Sequence, residues 1–150
     1  MNNTIIENWN SIVGIKDTVY HLGDFGIGRQ IELLSIMDKL HGSKIVIKGT
    51  HDKNLTIPIG NHIVTENLLT EIDTNKIFLS HYLHKVWPES HYGSWHLCGH
   101  SHGAQNEYIA KEGKIIDVGV DSFDFKPISF EQVCEIMSLR PNNYNFEHYV

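Results

Sequence analysis

The chain has 150 residues, of which 41% are hydrophobic and 20% charged, and a formal net charge of −6. That length and balance specify one folded domain with a buried core, exclude a disordered chain, and leave no basic stripe, so nucleic-acid binding is not indicated by charge. A phosphate-bearing substrate would have to be met locally, by metal ions or a few placed donors, because the overall field repels it.

Cys98 and Cys134 lack the spacing of a metal or redox pair and read as buried free thiols. No signal-peptide pattern and no apolar run of membrane-spanning length is present, which predicts a cytoplasmic protein with no membrane partner.

In chain order, Thr4-Ile5-Ile6-Glu7 is a capping-box pattern, followed at helical spacing by Trp9 and Val13. The apolar run Thr18-Val19-Tyr20-His21-Leu22 predicts a strand ending at Gly23-Asp24, where glycine permits a sharp turn that lifts Asp24 above the sheet edge. The glycines over 23–28 do not have dinucleotide-loop spacing, and the acidic residue sits inside the turn. Residues 29–40 predict an amphipathic helix with Ile31, Leu34, Met37 and Leu40 inward.

A second strand, Lys44-Ile45-Val46-Ile47-Lys48, delivers Gly49-Thr50-His51-Asp52, in which Asp52 could orient the His51 imidazole or simply begin a turn. Pro58-Ile59-Gly60-Asn61 marks a loop, and Asp73-Thr74-Asn75 joins two apolar runs as a hairpin that sets His81 at a strand end. Residues 115–121 predict another strand. Ser129-Phe130-Glu131-Gln132 is a second capping box, opening a helix with Phe130, Val133, Cys134 and Met137 inward, and 141–150 predict an irregular tail.

Six of the eleven histidines fall within 79–103, a stretch that ends Gly99-His100-Ser101-His102-Gly103. In an extended segment alternate residues point the same way, so His100 and His102 are expected to aim at one spot. A His-x-His pair alone is more often a strand-surface feature. Its company, three apolar runs each capped by a polar tip, points to metal chemistry.

Taken together, Gly23-Asp24, Gly49-Thr50-His51-Asp52, Ser80-His81 and Gly99-His100-Ser101-His102 resemble the motifs of the calcineurin-like metallophosphoesterases, most closely the small bacterial and phage members. The resemblance covers most of the chain. It implies an α/β fold in four layers (α/β/β/α), a two-sheet sandwich flanked by helices. It also implies a phosphate-ester substrate and one or two divalent ions of the Mn, Fe, Ni or Zn type. Asp24 would bridge both ions, His81 and His100 would bind the second and His102 the first, while His51, steadied by Asp52, would act as general acid or transition-state stabiliser.

The pattern departs from that family in two places. Its first motif, Asp-x-His on an initial strand, should precede Met1, so two ligands of the first ion and one sheet strand are expected to be missing, and a downstream start would account for this. Thr50 stands where the family places an Asn ligand, and its neutral hydroxyl is a poor substitute; Asp117 also stands where relatives often carry Asn. His21, His84 and His96 could stand in as ligands but read more simply as ordinary core or surface histidines. The expectation is therefore a metal-dependent phosphoesterase with weakened or lost catalysis. Its alternative is an inert protein of the same fold that binds a partner protein or phosphate-bearing ligand, as a regulator or mobile-element inhibitor. A second copy or another protein is expected to cover the exposed sheet edge.

Overall fold

The computed structural model describes residues 3–55 and 62–143. The loop expected at 58–61 and most of the expected tail lie outside these residues.

The described chain is mixed α/β and runs α1 (Asn3–Asn10), β1 (Thr18–His21), α2 (Gln30–Met37), β2 (Ser43–Ile47), β3 (Ile63–Thr65), β4 (Asn67–Ile72), β5 (Asn75–Ser80), β6 (Trp95–Cys98), α3 (Asn106–Ile109), β7 (Ile115–Asp117) and α4 (Phe130–Ser138). One sheet is parallel, in the order β1-β2-β3; the other is mixed, in the order β4-β5-β6-β7. Among the described residues, no helix is long and apolar enough to cross a membrane.

Local chemistry explains most of these elements. In the β4-β5 hairpin, Ile72 pairs with Asn75 across a two-residue loop, and Asp73 and Thr74 have φ of 48° and 70°. Two left-handed residues match the twist of the flanking strands, as in a type I′ turn. At the start of α4, Gln132 N–H donates to Ser129 Oγ at 3.2 Å while Ser129 N–H donates to Gln132 Oε1 at 2.9 Å, the reciprocal capping box the sequence predicts. Helix α1, by contrast, already includes Asn3, so Thr4 lies within it rather than capping it.

Helix α2 corrects the expected inward face. Leu33 and Met37 are buried with Leu40 beyond the helix end, while Ile31 is 72% exposed. Residues 30–37 read QIELLSIM, apolar on nearly every side, so periodicity admits more than one inward stripe. Packing selects the one that meets Val46 and Trp9. The strand expected over 115–121 is also shorter, because a 3₁₀ turn, Val120–Ser122, follows β7.

Strand alternation divides the core. Val46 joins Trp9, Val13, Leu33 and Met37 on the helix-covered side of the parallel sheet. Ile47 and Leu22, from the other side, pack with Ile77, Leu79, Trp95 and Ile116 of the mixed sheet and with Val133 and Met137 of α4. Cys98 and Ile115 face away from that cluster, toward Trp87 and Ile109. Strand β1 pairs with β2, and β5 with β6, both parallel. Parallel pairing aligns the strands' C-terminal ends, so the polar tips after β1, β2, β5 and β6 emerge side by side.

Candidate metal centre

The tips meet because two glycines let the backbone close around His81. Gly23 has φ of 100°, and a Cβ there would lie 2.7 Å from His81 Cγ and 2.8 Å from Gly49 Cα. A Cβ on Gly49 would lie 2.5 Å from Asp24 Oδ1 and 2.9 Å from His81 Cε1. Only hydrogen fits at either place.

His81 is 2% exposed, and its Nδ1 lies 2.7 Å from the Leu22 carbonyl oxygen. A carbonyl can only accept, so Nδ1 donates to it, which turns Nε2 toward the cluster. That Nε2 lies 3.4 Å from Asp24 Oδ2 and 3.2 Å from His100 Nδ1. Asp24, His81 and His100 each offer a ligand atom, all within 4.8 Å of one another. A lone pair facing a carboxylate oxygen is repulsive unless a proton or cation lies between them. The donor set, two imidazoles and one carboxylate with one ring fixed by a backbone carbonyl, fits a divalent transition metal.

The loops that form the cluster also carry unusual backbone. Asp24 has φ of 54°, His100 of 69° and His102 of 52°. Left-handed backbone at non-glycine residues is held only where the surroundings over-determine it. Asp117 supplies part of that hold. Fully buried, its carboxylate accepts from Ser101 Oγ, from Gly103 N–H at 3.2 Å and from Gly119 N–H at 2.8 Å, and so braces the 99–103 loop.

Because β6 stops at Cys98, the extended geometry expected for His100 and His102 does not form. His100 joins the cluster. His102 instead holds Asp121, Nδ1 to Oδ2 at 2.7 Å, and that hydrogen bond raises its pKa above the usual imidazole value. Thr50 is also committed elsewhere, its Oγ1 lying 2.6 Å from the Tyr82 hydroxyl. Tyr82 has no counterpart among the sequence-predicted site residues. Its position directly after His81 is the one signal that could have found it.

Asp52 does not steady the His51 ring. Fully buried, it accepts Phe25 N–H on Oδ1 at 2.7 Å and Gly49 N–H on Oδ2 at 2.8 Å, clamping the loop after β1 to the loop after β2. It is a positioning residue. His51 itself is exposed, and its backbone N–H donates to Asp24 Oδ1 at 2.9 Å.

Three further histidines, His96, His84 and His21, are set by their packing. His96, within β6, is fully buried, with Nδ1 3.1 Å from the Phe78 carbonyl oxygen and Nε2 accepting His84 N–H at 3.0 Å. One nitrogen must donate and the other accept, so the ring must be neutral, and burial lowers its pKa to about 4. His84 Nδ1 faces the Tyr82 carbonyl at 3.0 Å. His21 packs edge-on against Phe25, its buried Nδ1 has no hydrogen-bond partner among the described residues, and burial holds its pKa below the imidazole norm. Burial likewise pushes the Cys98 thiol up to about 12, which leaves it inert; Cys134 is also a free thiol, half-buried.

His96 yields a pH prediction. Its depressed pKa means that the unfolded chain binds the extra proton first, so its contribution is complete above pH 6.5 and lost as pH falls toward 4. The expected loss is about 3 kcal/mol across that window. Urea melts at pH 7 and pH 4.5 should show a smaller pH dependence for His96→Asn, whose amide can donate to the Phe78 carbonyl without titrating. Equal dependence in the two proteins would refute it.

No family model matches the chain. It is 30% identical over 146 residues to MJ1445, an uncharacterized protein of Methanocaldococcus jannaschii, spanning 91% of this chain and 75% of that protein. It also resembles the crystal structure of AQ665, a protein of unknown function from Aquifex aeolicus. That match has a TM-score of 0.66 and 25% identity, covering 89% of this chain and 83% of the other.

Proposed function

This chain belongs to the same family as MJ1445, and from its own site residues we propose that it is a metal-dependent phosphoesterase of the calcineurin-like sandwich type, with one ion site and reduced turnover. The observation that carries this is the convergence of Asp24, His81 and His100 donors within 4.8 Å. A Mn, Fe, Ni or Zn ion held there would supply positive charge against a phosphoryl oxygen. The His51 backbone N–H donates to Asp24, so the residue borders the cluster, and its exposed imidazole would serve to pass a proton to the leaving oxygen of a phosphate mono- or diester.

Elemental analysis after manganese loading tests the ligand set. One ion per chain is expected, lost in His81→Ala and His100→Ala; no bound ion in the unmodified protein would overturn the proposal. His51→Ala should lower hydrolysis of a nitrophenyl phosphate ester by about 100- to 1,000-fold and leave metal loading unchanged. Unaltered hydrolysis would remove His51 from the mechanism.

A second reading, an inert binding protein of the same fold, is favoured by the commitment of His102 to Asp121 and of Thr50 to Tyr82. Strand β1, which pairs with β2 and stands at the end of its sheet, is where a second copy or partner protein would add. Metal binding without hydrolysis would select this reading.

A further inference from the structure

We propose that the hydroxyls of Thr50 and Tyr82 form a paired donor that binds a non-bridging oxygen of the substrate's phosphoryl group, an inference that rests on the phosphoester function proposed above. The two oxygens lie 2.6 Å apart, although their residues are 32 positions apart and follow strands of different sheets. The Tyr82 ring stands 5.0 Å from the His100 ring and 4.8 Å from the His81 ring, so the pair borders the candidate metal centre. Thr50 is exposed, and Tyr82 is 47% exposed, so the pair stands at the surface of the site rather than in the core.

Counting protons gives the pair its polarity. Two hydroxyls carry two hydrogens, and the bond between them uses one. Whichever group donates, one hydrogen is left to point outward. That remaining O–H is strengthened by the bond it sits on, since a hydroxyl that accepts a hydrogen bond becomes the better donor. A phosphoryl oxygen, which only accepts, is the complementary group.

The site has reason to use neutral donors. The chain carries a net charge of −6. Two basic residues flanking the site loops are already paired, Arg29 with Glu32 at 2.7 Å and Lys48 with Glu66 at 3.7 Å. Thr50, a poor metal ligand, thus becomes intelligible as half of an anion-binding pair. Tyr82 supplies the other half and is held in place by its contacts with both imidazoles.

The test is calorimetric titration of inorganic phosphate into manganese-loaded protein, with metal content measured on the same samples. Tyr82→Phe keeps the ring and removes its hydroxyl; Thr50→Val keeps the shape and removes the other. At unchanged metal content, phosphate affinity is expected to fall about tenfold in Tyr82→Phe and about threefold in Thr50→Val, the scale of one hydrogen bond to a charged oxygen and of a lost orienting partner. Phosphate affinity within twofold of the unmodified protein in both variants would overturn the pair as a donor. A loss in one variant alone would assign the contact to that hydroxyl and overturn the paired arrangement. Metal-loaded protein that binds no phosphate would overturn the inference while leaving the metal site standing. Failure of the unmodified protein to bind manganese would overturn the phosphoester proposal and the inference with it.

Discussion

Replacing Asp52 by alanine is expected to lower the stability of the fold by about 3–5 kcal/mol, the largest single-residue effect that the site predicts. The carboxylate is fully buried and accepts two backbone N–H groups, from Phe25 and Gly49, that belong to different loops. Alanine leaves both donors without an acceptor, and each unsatisfied donor in a dry setting costs about 1–3 kcal/mol. Asp52→Asn should be milder, about 2 kcal/mol, because one amide oxygen can still accept while the amide N–H₂ opposes the second donor. Urea denaturation of the three proteins measures this directly. A loss below about 1 kcal/mol in Asp52→Ala would mean that the two loops do not depend on the clamp.

The second large effect is expected from Gly49→Ala, which should weaken manganese binding by about 100-fold, a loss comparable to removing a group that orients a metal ligand. The added methyl would lie 2.5 Å from Asp24 Oδ1 and 2.9 Å from His81 Cε1, inside the contact limit for both candidate ligands. Overpacking of this kind displaces backbone as well as side chains and carries about 1–3 kcal/mol of destabilisation. Gly14→Ala is the control. The atoms nearest its methyl are those of the Asp17 carboxylate, at 3.3 Å and beyond, on the surface. Manganese affinity in Gly49→Ala equal to that of the control would show that the glycine does not shape the site.

These effects turn on contacts that sequence alone does not reveal. Asp52 follows His51 directly, and adjacency suggests a partnership between their side chains. Yet adjacent side chains leave the backbone in different directions. In the fold the Asp52 carboxylate turns inward to two N–H groups, while the His51 side chain stays exposed. The His100-Ser101-His102 spacing misleads for a related reason. Alternation holds only in extended backbone, and both histidines here are left-handed.

By itself the sequence determined the features that arise from short-range chemistry. These are the strands after which the polar tips emerge, the hairpin turn at Asp73-Thr74, and the Ser129-Gln132 capping box. Each depends on groups a few bonds or one turn away, so local residue order is sufficient. Only the tertiary structure decided which groups would share partners. Parallel pairing set the tips of β1 and β2 together and those of β5 and β6 together, packing of the two sheets brought Asp24 to His81 and His100, the Asp121 carboxylate drew His102 away, Tyr82 took Thr50, and His96 was sealed on the far face of β6. A histidine has the same ring and the same two nitrogens in every setting. Whether it becomes a ligand, an ion-pair partner or a neutral core residue is set by which acceptors and donors the rest of the fold places around it.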